Sequence, residues 1–290
     1  MIGIFDSGIG GLSVLRALAA RFPQQAFVYL GDHANAPYGD RPSREIVELS
    51  RQGVLRLFGL RARLVVLGCN TATAVALRAL QRDWLPDAGL AGRNVIGIVA
   101  PTVEAATQTP WAVTTPQYPQ KNNRDCIAVF GTTRTVESRV YVEEIRKRCP
   151  QAGVVQQACP ALAGAIEAGR SEAELDALVG ASVTALLAQL CGRAPDRAIL
   201  GCTHFAIVEH AFRRRLPAST RILSQPEIVA DSLEDYLTRH PAYAGAGAPP
   251  GVRLLTTGAL AQASRVARIF WPGAPPFEQR RDRGLLGRRR

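Results

Sequence analysis

Two cysteines stand in the same local context at well-separated points of the chain. Residues 64–77 read LVVLGCNTATAVAL and residues 197–210 read RAILGCTHFAIVEH: an apolar run, Leu-Gly-Cys, a polar pair, then a helix-period segment. Upstream of each, another apolar run meets a small polar turn, Phe5-Asp6-Ser7-Gly8 and Phe130-Gly131-Thr132-Thr133. This weak repeat points to two similar α/β halves, each presenting one cysteine, Cys69 or Cys202, at a strand C-terminus. In open parallel sheets ligands bind beyond the strand C-termini, where helix N-termini supply free N–H groups and positive potential. A thiol there is biased towards thiolate, below its ordinary value of ~8.5. Two thiols facing one ligand suit a reaction that takes a proton from one face of a carbon and returns one to the other. One sulfur must then be thiolate and the other thiol. Asp6, Asp32 and His204 are candidates to set those protonation states, and Ser7, Asn70, Thr71 and Thr203 are short donors suited to carboxylates. Cys126, Cys149, Cys159 and Cys191 lack the shared setting and are read as structural, small buried hydrophobes.

The elements that must position these residues alternate between short apolar runs and helix-period segments, as in an α/β protein with a largely parallel sheet. Strands are predicted over 2–6, 26–31, 64–68, 94–99, 126–131, 153–158, 196–201 and 252–256. Ile46, Leu49, Gly53 and Leu57 recur at helical spacing, and Ser171 with Glu174 has the spacing of a capping box before Leu175, Leu178, Val179 and Leu186. Residues 107–124, rich in Pro, Thr, Gln and Asn, and the Gly/Pro/Ala stretch 241–251 read as breaks.

Composition narrows the function classes. A chain of 290 residues buries a sizeable core as one large or two small domains. Its net charge of +11 raises a polyanion partner. However, six arginines and one aspartate sit in residues 279–290, which read as a solvated basic tail. No nucleic-acid-binding module is recognisable, so nucleic acid is not the expected partner. Arg213-Arg214-Arg215 reads as the cationic last turn of a helix. No run reaches the ~18–20 apolar residues of a membrane span. The chain opens on the strand-like Ile2-Gly3-Ile4-Phe5 with no charged leader, so a cytoplasmic location with reduced thiols is expected. Only Lys121, in the Pro/Gln/Asn stretch, and Lys147, between two arginines, are lysines. Neither setting suits a pyridoxal Schiff base, and cofactor-free chemistry is expected. Cys202-Thr203-His204 has no complementary pair for a zinc site. Gly8-Ile9-Gly10-Gly11-Leu12-Ser13 followed by Asp32 approaches a dinucleotide-binding loop, but Ser13 replaces the third glycine and the paired cysteines go unused.

The chain resembles glutamate racemases of the aspartate/glutamate racemase superfamily. The matching segments are Phe5–Gly11, Gly31-Asp32 with Pro37-Tyr38-Gly39, Cys69–Thr73, Ala158-Cys159-Pro160 and Gly201–His204, in family order over about residues 2–270. The resemblance implies a cofactor-independent, commonly dimeric enzyme that interconverts L- and D-glutamate and supplies the D-isomer for peptidoglycan. Aspartate or another amino acid is the alternative substrate. It carries over Cys69 and Cys202 as the acid/base thiols, with Asp6 and His204 assisting. Asp6, Ser7, Tyr38, Gly39, Asn70, Thr71, Thr132, Thr203 and His204 would bind substrate, with Asp32, Glu167 and Thr135 auxiliary. The implied fold has two α/β subdomains related by a pseudo-two-fold, residues 1–100 with 225–290 and residues 101–224, with the site between them. The sequence departs from the family pattern at His33-Ala34-Asn35-Ala36, at Phe205-Ala206 and in the length of 107–124. His33 is a candidate to line the cleft; His210 and His240 read as surface residues.

Overall fold

A computed structural model describes residues 1–279 except 111, 112, 114, 117, 120–123 and 246–248. Lys121 and the basic tail beyond Gln279 therefore lie outside the described residues. Among the described residues, ten strands form two parallel sheets. They are β1 (Ile2–Asp6), β2 (Ala26–Gly31), β3 (Leu64–Leu67), β4 (Asn94–Gly97), β5 (Cys126–Gly131), β6 (Gly153–Ala158), β7 (Arg197–Gly201), β8 (Arg221–Leu223), β9 (Gly251–Thr256) and β10 (Phe277–Gln279). The first sheet runs β10-β9-β2-β1-β3-β4 and the second β6-β5-β7-β8. β1, β2, β3 and β5 are buried at every position, which follows from helices covering both faces of a parallel sheet.

The predicted strands all form: those at 64–68, 94–99 and 196–201 are trimmed at one end, and the one at 252–256 gains Gly251. The apolar run at 94–99 stops at Gly97, and Val99 already belongs to the helix Val99–Thr107. β8 and β10 were not predicted. Each is three residues long at a sheet edge, too short to carry a readable period. After Cys202 the helix-period segment begins as a 3-10 turn, Thr203–Val208, before the helix Glu209–Arg215. The capping box forms: Glu174 N–H donates to Ser171 Oγ, and Ser171 N–H donates to the Glu174 carboxylate at 2.9 Å. The three arginines end Glu209–Arg215 and pair with Glu209, Glu172 and Asp176.

One continuous core joins the sheets. Ile2, Ile4 and Tyr29 of the first and Ala128, Phe130 and Leu200 of the second belong to it, bridged by Leu12–Arg21 and Gln225–Arg239. A second core lies under the helix Ser43–Gly59, whose Ile46, Gly53 and Leu57 face β1 and β3. Gly53 is needed for that approach: a Cβ there would sit 2.1 Å from the Phe5 ring. Gly59, at the end of the same helix, has no atom within 4 Å of a built Cβ. Gly53→Ala is therefore expected to cost about 1–3 kcal/mol through overpacking. Gly59→Ala should be neutral or stabilising by up to about 1 kcal/mol. Denaturant unfolding of the two variants against the parent chain checks the contrast.

Candidate active site

Register determines which residues reach the site. Asp6 pairs with Gly31, and Phe5 with Leu67, so the turns after β1, β2 and β3 start at one level. In the second sheet Gly131 pairs with both Ala158 and Gly201. A cavity of about 500 Å³ lies against these ends. Ser7, Tyr38, Cys69 and Thr71 line it from the first sheet, and Thr132, Glu167, Cys202 and His204 from the second. Gly258 and Gln262, after β9, also reach it. The two cysteines thus come from different sheets into one enclosure large enough for a small metabolite. Each is 6% exposed.

Cys69 precedes the helix Asn70–Ala79 and caps it: its sulfur accepts the Ala72 N–H at 3.4 Å and lies 3.2 Å from Ser7 Oγ. Cys202 is held differently. Its sulfur is 3.7 Å from His204 Nδ1, and the other ring nitrogen, Nε2, is 2.7 Å from Glu167 Oε1. His204 fits only because residue 10 is glycine; a Cβ there would be 2.3 Å from Nδ1. The glycine-rich turn that approaches a dinucleotide loop is thus committed elsewhere. Gly10 backs His204, and Gly11 N–H donates to Asp6 Oδ2 at 2.7 Å. Asp6 also accepts the Tyr29 hydroxyl at 2.8 Å.

The other expected site residues separate into those that line the cavity and those that brace it. Thr71, Thr132 and Thr135 form a hydroxyl cluster with Thr71–Thr132 and Thr132–Thr135 oxygens 3.0 Å apart, across the two halves. Thr71 and Thr132 line the cavity, whereas Thr135 lies fully buried behind them. Asp32 does not line the cavity. It accepts the Tyr38 hydroxyl at 2.7 Å and bonds from Asn35 and Thr257, and so braces the Tyr38-Gly39 turn. Asn70 lines the cavity, but its amide is engaged by Gln225 and Tyr141. Thr203 lines it while its carbonyl accepts from Ser13. His33 lines the cavity near Thr256, and His210 and His240 are exposed. Lys147 donates to Glu144 and does not line the cavity. Of the other cysteines, Cys126, Cys149 and Cys159 are buried as expected of structural positions, but Cys191 is exposed on the turn after the helix Glu172–Gln189. No cluster of His, Cys, Asp or Glu suited to a metal occurs among the described residues.

The profile of the Asp/Glu/hydantoin racemase family matches residues 12–232. The chain belongs to this family. Curated relatives named glutamate racemase include those of Phenylobacterium zucineum, 49% identical over 96% of this chain and 99% of the relative, and of Caulobacter sp., 49% identical over the same shares. The crystal structure of a glutamate racemase isoform from Bacillus anthracis superposes with a TM-score of 0.80 at 29% identity, covering 97% of each chain. The racemase shares with such structures two parallel sheets flanked by helices. Among its described residues no helix is long and apolar enough to cross a membrane.

The racemase's two thiols have different partners, Ser7 and the Ala72 N–H at Cys69 and His204 at Cys202. Burial pushes the Cys69 thiol up to about 12, and the nearby Asp6 charge adds to it, outweighing the bonds from Ser7 and Ala72. This corrects the expectation of a thiolate-biased Cys69: the helix N-terminus is present, but loss of solvent dominates. Burial opposes a charged His204, yet its bond to Cys202, that sulfur's charge and the Glu167 carboxylate raise it to about 10. Burial likewise opposes the Glu167 carboxylate, and the bond and charge of His204 overcome this, leaving it below its ordinary value. Burial raises Asp6, with His204 the largest opposing influence. Sequence reasoning missed Tyr29 and Gln225. A phenol in the apolar run 26–31 was the one available signal for Tyr29; Gln225, beside Pro226 at a helix start, carried none.

Because folding raises His204 from 6.5, its contribution to stability is complete below about pH 6.5 and is lost as the pH rises through about 10. Glu167→Gln removes the carboxylate that holds the imidazolium. The His204 titration, followed by imidazole NMR, is expected to move down, and the stability window should narrow from its alkaline side.

Proposed function

We propose that this racemase interconverts L- and D-glutamate without a cofactor, by two-base proton transfer between Cys202, His204 and Glu167 on one side and Cys69 with Ser7 on the other. The observation that carries the reading is the delivery of two buried cysteines, one from each sheet, to the same cavity. The substrate's carboxylate lies at the N-terminus of Asn70–Ala79, where backbone N–H groups and the helix dipole favour an anion. The Thr71 and Thr132 hydroxyls add donors. With L-glutamate bound, the Cys202 thiolate takes the α-proton, and the imidazolium of His204 offsets the negative charge on the sulfur. Cys69, kept as thiol by burial, gives its proton to the opposite face of the carbanion, and D-glutamate results. D-glutamate reacts by the reverse path. Asp6, buried beside Tyr29, keeps Cys69 from ionising early.

Glutamate is favoured over aspartate by the relatives of that name that cover 96% of the chain. As the family resemblance implies, the reading extends to a role in supplying D-glutamate for peptidoglycan in the cytoplasm, to a homodimer, and to two units, residues 1–100 with 225–290 and residues 101–224.

Chiral chromatography of purified protein with L-glutamate or L-aspartate, without added cofactor, tests the reading. D-glutamate is expected and D-aspartate is not. Activity that appeared only with pyridoxal phosphate would rule out the cysteine mechanism. Cys69→Ala and Cys202→Ala should each lower racemisation at least about 10²-fold. In heavy water Cys69→Ala should exchange the α-proton of L-glutamate alone, and Cys202→Ala that of D-glutamate alone. Near-parental turnover in either variant would overturn the two-base assignment.

A further inference from the structure

Behind the cavity, one buried amide joins the turn that carries Cys69 to the strand end that carries Cys202. We propose that Gln225 is a positioning residue that sets the working separation of the two thiols; this deepens the two-base reading above and rests on it. Gln225 opens the helix Gln225–Arg239 and is 1% exposed. It does not line the cavity, so it acts only through other residues. Its Oε1 accepts the Asn70 Nδ2–H at 2.6 Å, and its own Nε2 lies 3.0 Å from Asn70 Oδ1, forming a two-bond amide pair. The same Nε2 is 2.9 Å from Thr102 Oγ1 and 3.2 Å from the Tyr141 hydroxyl. Tyr141 donates to Asn70 Oδ1 at 2.7 Å, and Thr102 donates to the Ile98 carbonyl at 2.7 Å.

Each partner leads to one of the cysteines or to a crossing between the sheets. Asn70 directly follows Cys69. The fully buried Tyr141 ring lies against Gly201, the residue before Cys202; a Cβ on Gly201 would be 3.2 Å from it. Thr102 sits in Val99–Thr107, through which the chain passes from β4 to β5. Gln225 starts the helix through which it returns from β8 to β9. Both crossings therefore meet the two cysteine-bearing segments at one amide. Removing the Gln225 amide would leave buried polar atoms of Asn70, Thr102 and Tyr141 each short of a partner, so the amide ties these groups together. Transfer from one face of a carbon and return to the other requires both sulfurs in place at once, and small misplacements are heavily penalised.

Gln225→Met keeps the length of the side chain and removes its bonds. Its KM for L-glutamate is expected to stay within about threefold, while kcat falls about 10–100-fold. The decisive readout is partitioning in heavy water: deuterium in recovered L-glutamate relative to inversion. If Cys69 is displaced, the carbanion made by Cys202 persists while the Cys202 thiol exchanges with solvent, and the ratio should rise at least threefold. Tyr141→Phe, which keeps the ring under Gly201 and loses the hydroxyl, should move the ratio the same way by less. Folded variants with the parental ratio overturn the inference while leaving glutamate racemisation intact. If Gln225→Met does not fold, an unchanged ratio in Tyr141→Phe overturns it alone. A parent chain that does not racemise glutamate overturns the functional reading itself, and this inference with it.

Discussion

Parallel alignment of two sheets, each with its strand C-termini turned to one cavity, is the constraint on which the rest of the site depends. In a parallel ladder all strands end on the same side, so the turns after β1, β3, β5 and β7 are gathered without any long loop. A slip of one residue would reverse the faces of every side chain in a strand, and it would also move Cys69 or Cys202 out of line with its neighbours. The fully buried central strands oppose such slips, since each would mismatch the side-chain volumes packed on both faces and draw a polar end residue into the core.

Burial then governs the chemistry more strongly than the helix N-termini do. Both sulfurs are nearly out of solvent, but their partners differ. Cys69 has neutral partners, the Ser7 hydroxyl and the Ala72 N–H, and a nearby acid; Cys202 has an imidazole backed by a carboxylate. A buried charge is tolerated only where it is paired and hydrogen-bonded. The Cys202-His204-Glu167 chain satisfies that condition and the surroundings of Cys69 do not. The asymmetry between the two halves is therefore a matter of side-chain partners laid over a repeated backbone plan.

Much of this was legible in the residues. The eight longer strands carry apolar runs ending in glycine or a polar residue. The Ser171–Glu174 cap and the helix face of Ile46, Gly53 and Leu57 follow local rules that tertiary packing did not overturn. The two Leu-Gly-Cys turns were visible because the pattern occurs twice. β8 and β10 escaped because three residues at a sheet edge take their conformation from a neighbour rather than from their own sequence. Asp32 and Thr135 sit beside lining residues in the chain but behind them in space, a distinction that spacing does not contain. Tyr29 and Gln225 escaped for the same reason, since their polar partners lie 23 and 155 residues away.

By itself the sequence determined the α/β class, the parallel strands and the two cysteine turns, because periodicity, glycine turns and capping act over a few residues. Tertiary structure alone decided which residues share the cavity, which of them only brace it, and which thiol is held protonated. Those outcomes depend on solvent exclusion and on charges brought together from distant segments, as with His204 and Glu167, 37 residues apart yet in hydrogen-bond contact. Desolvation is a property of the assembled volume, and no local run of residues encodes it.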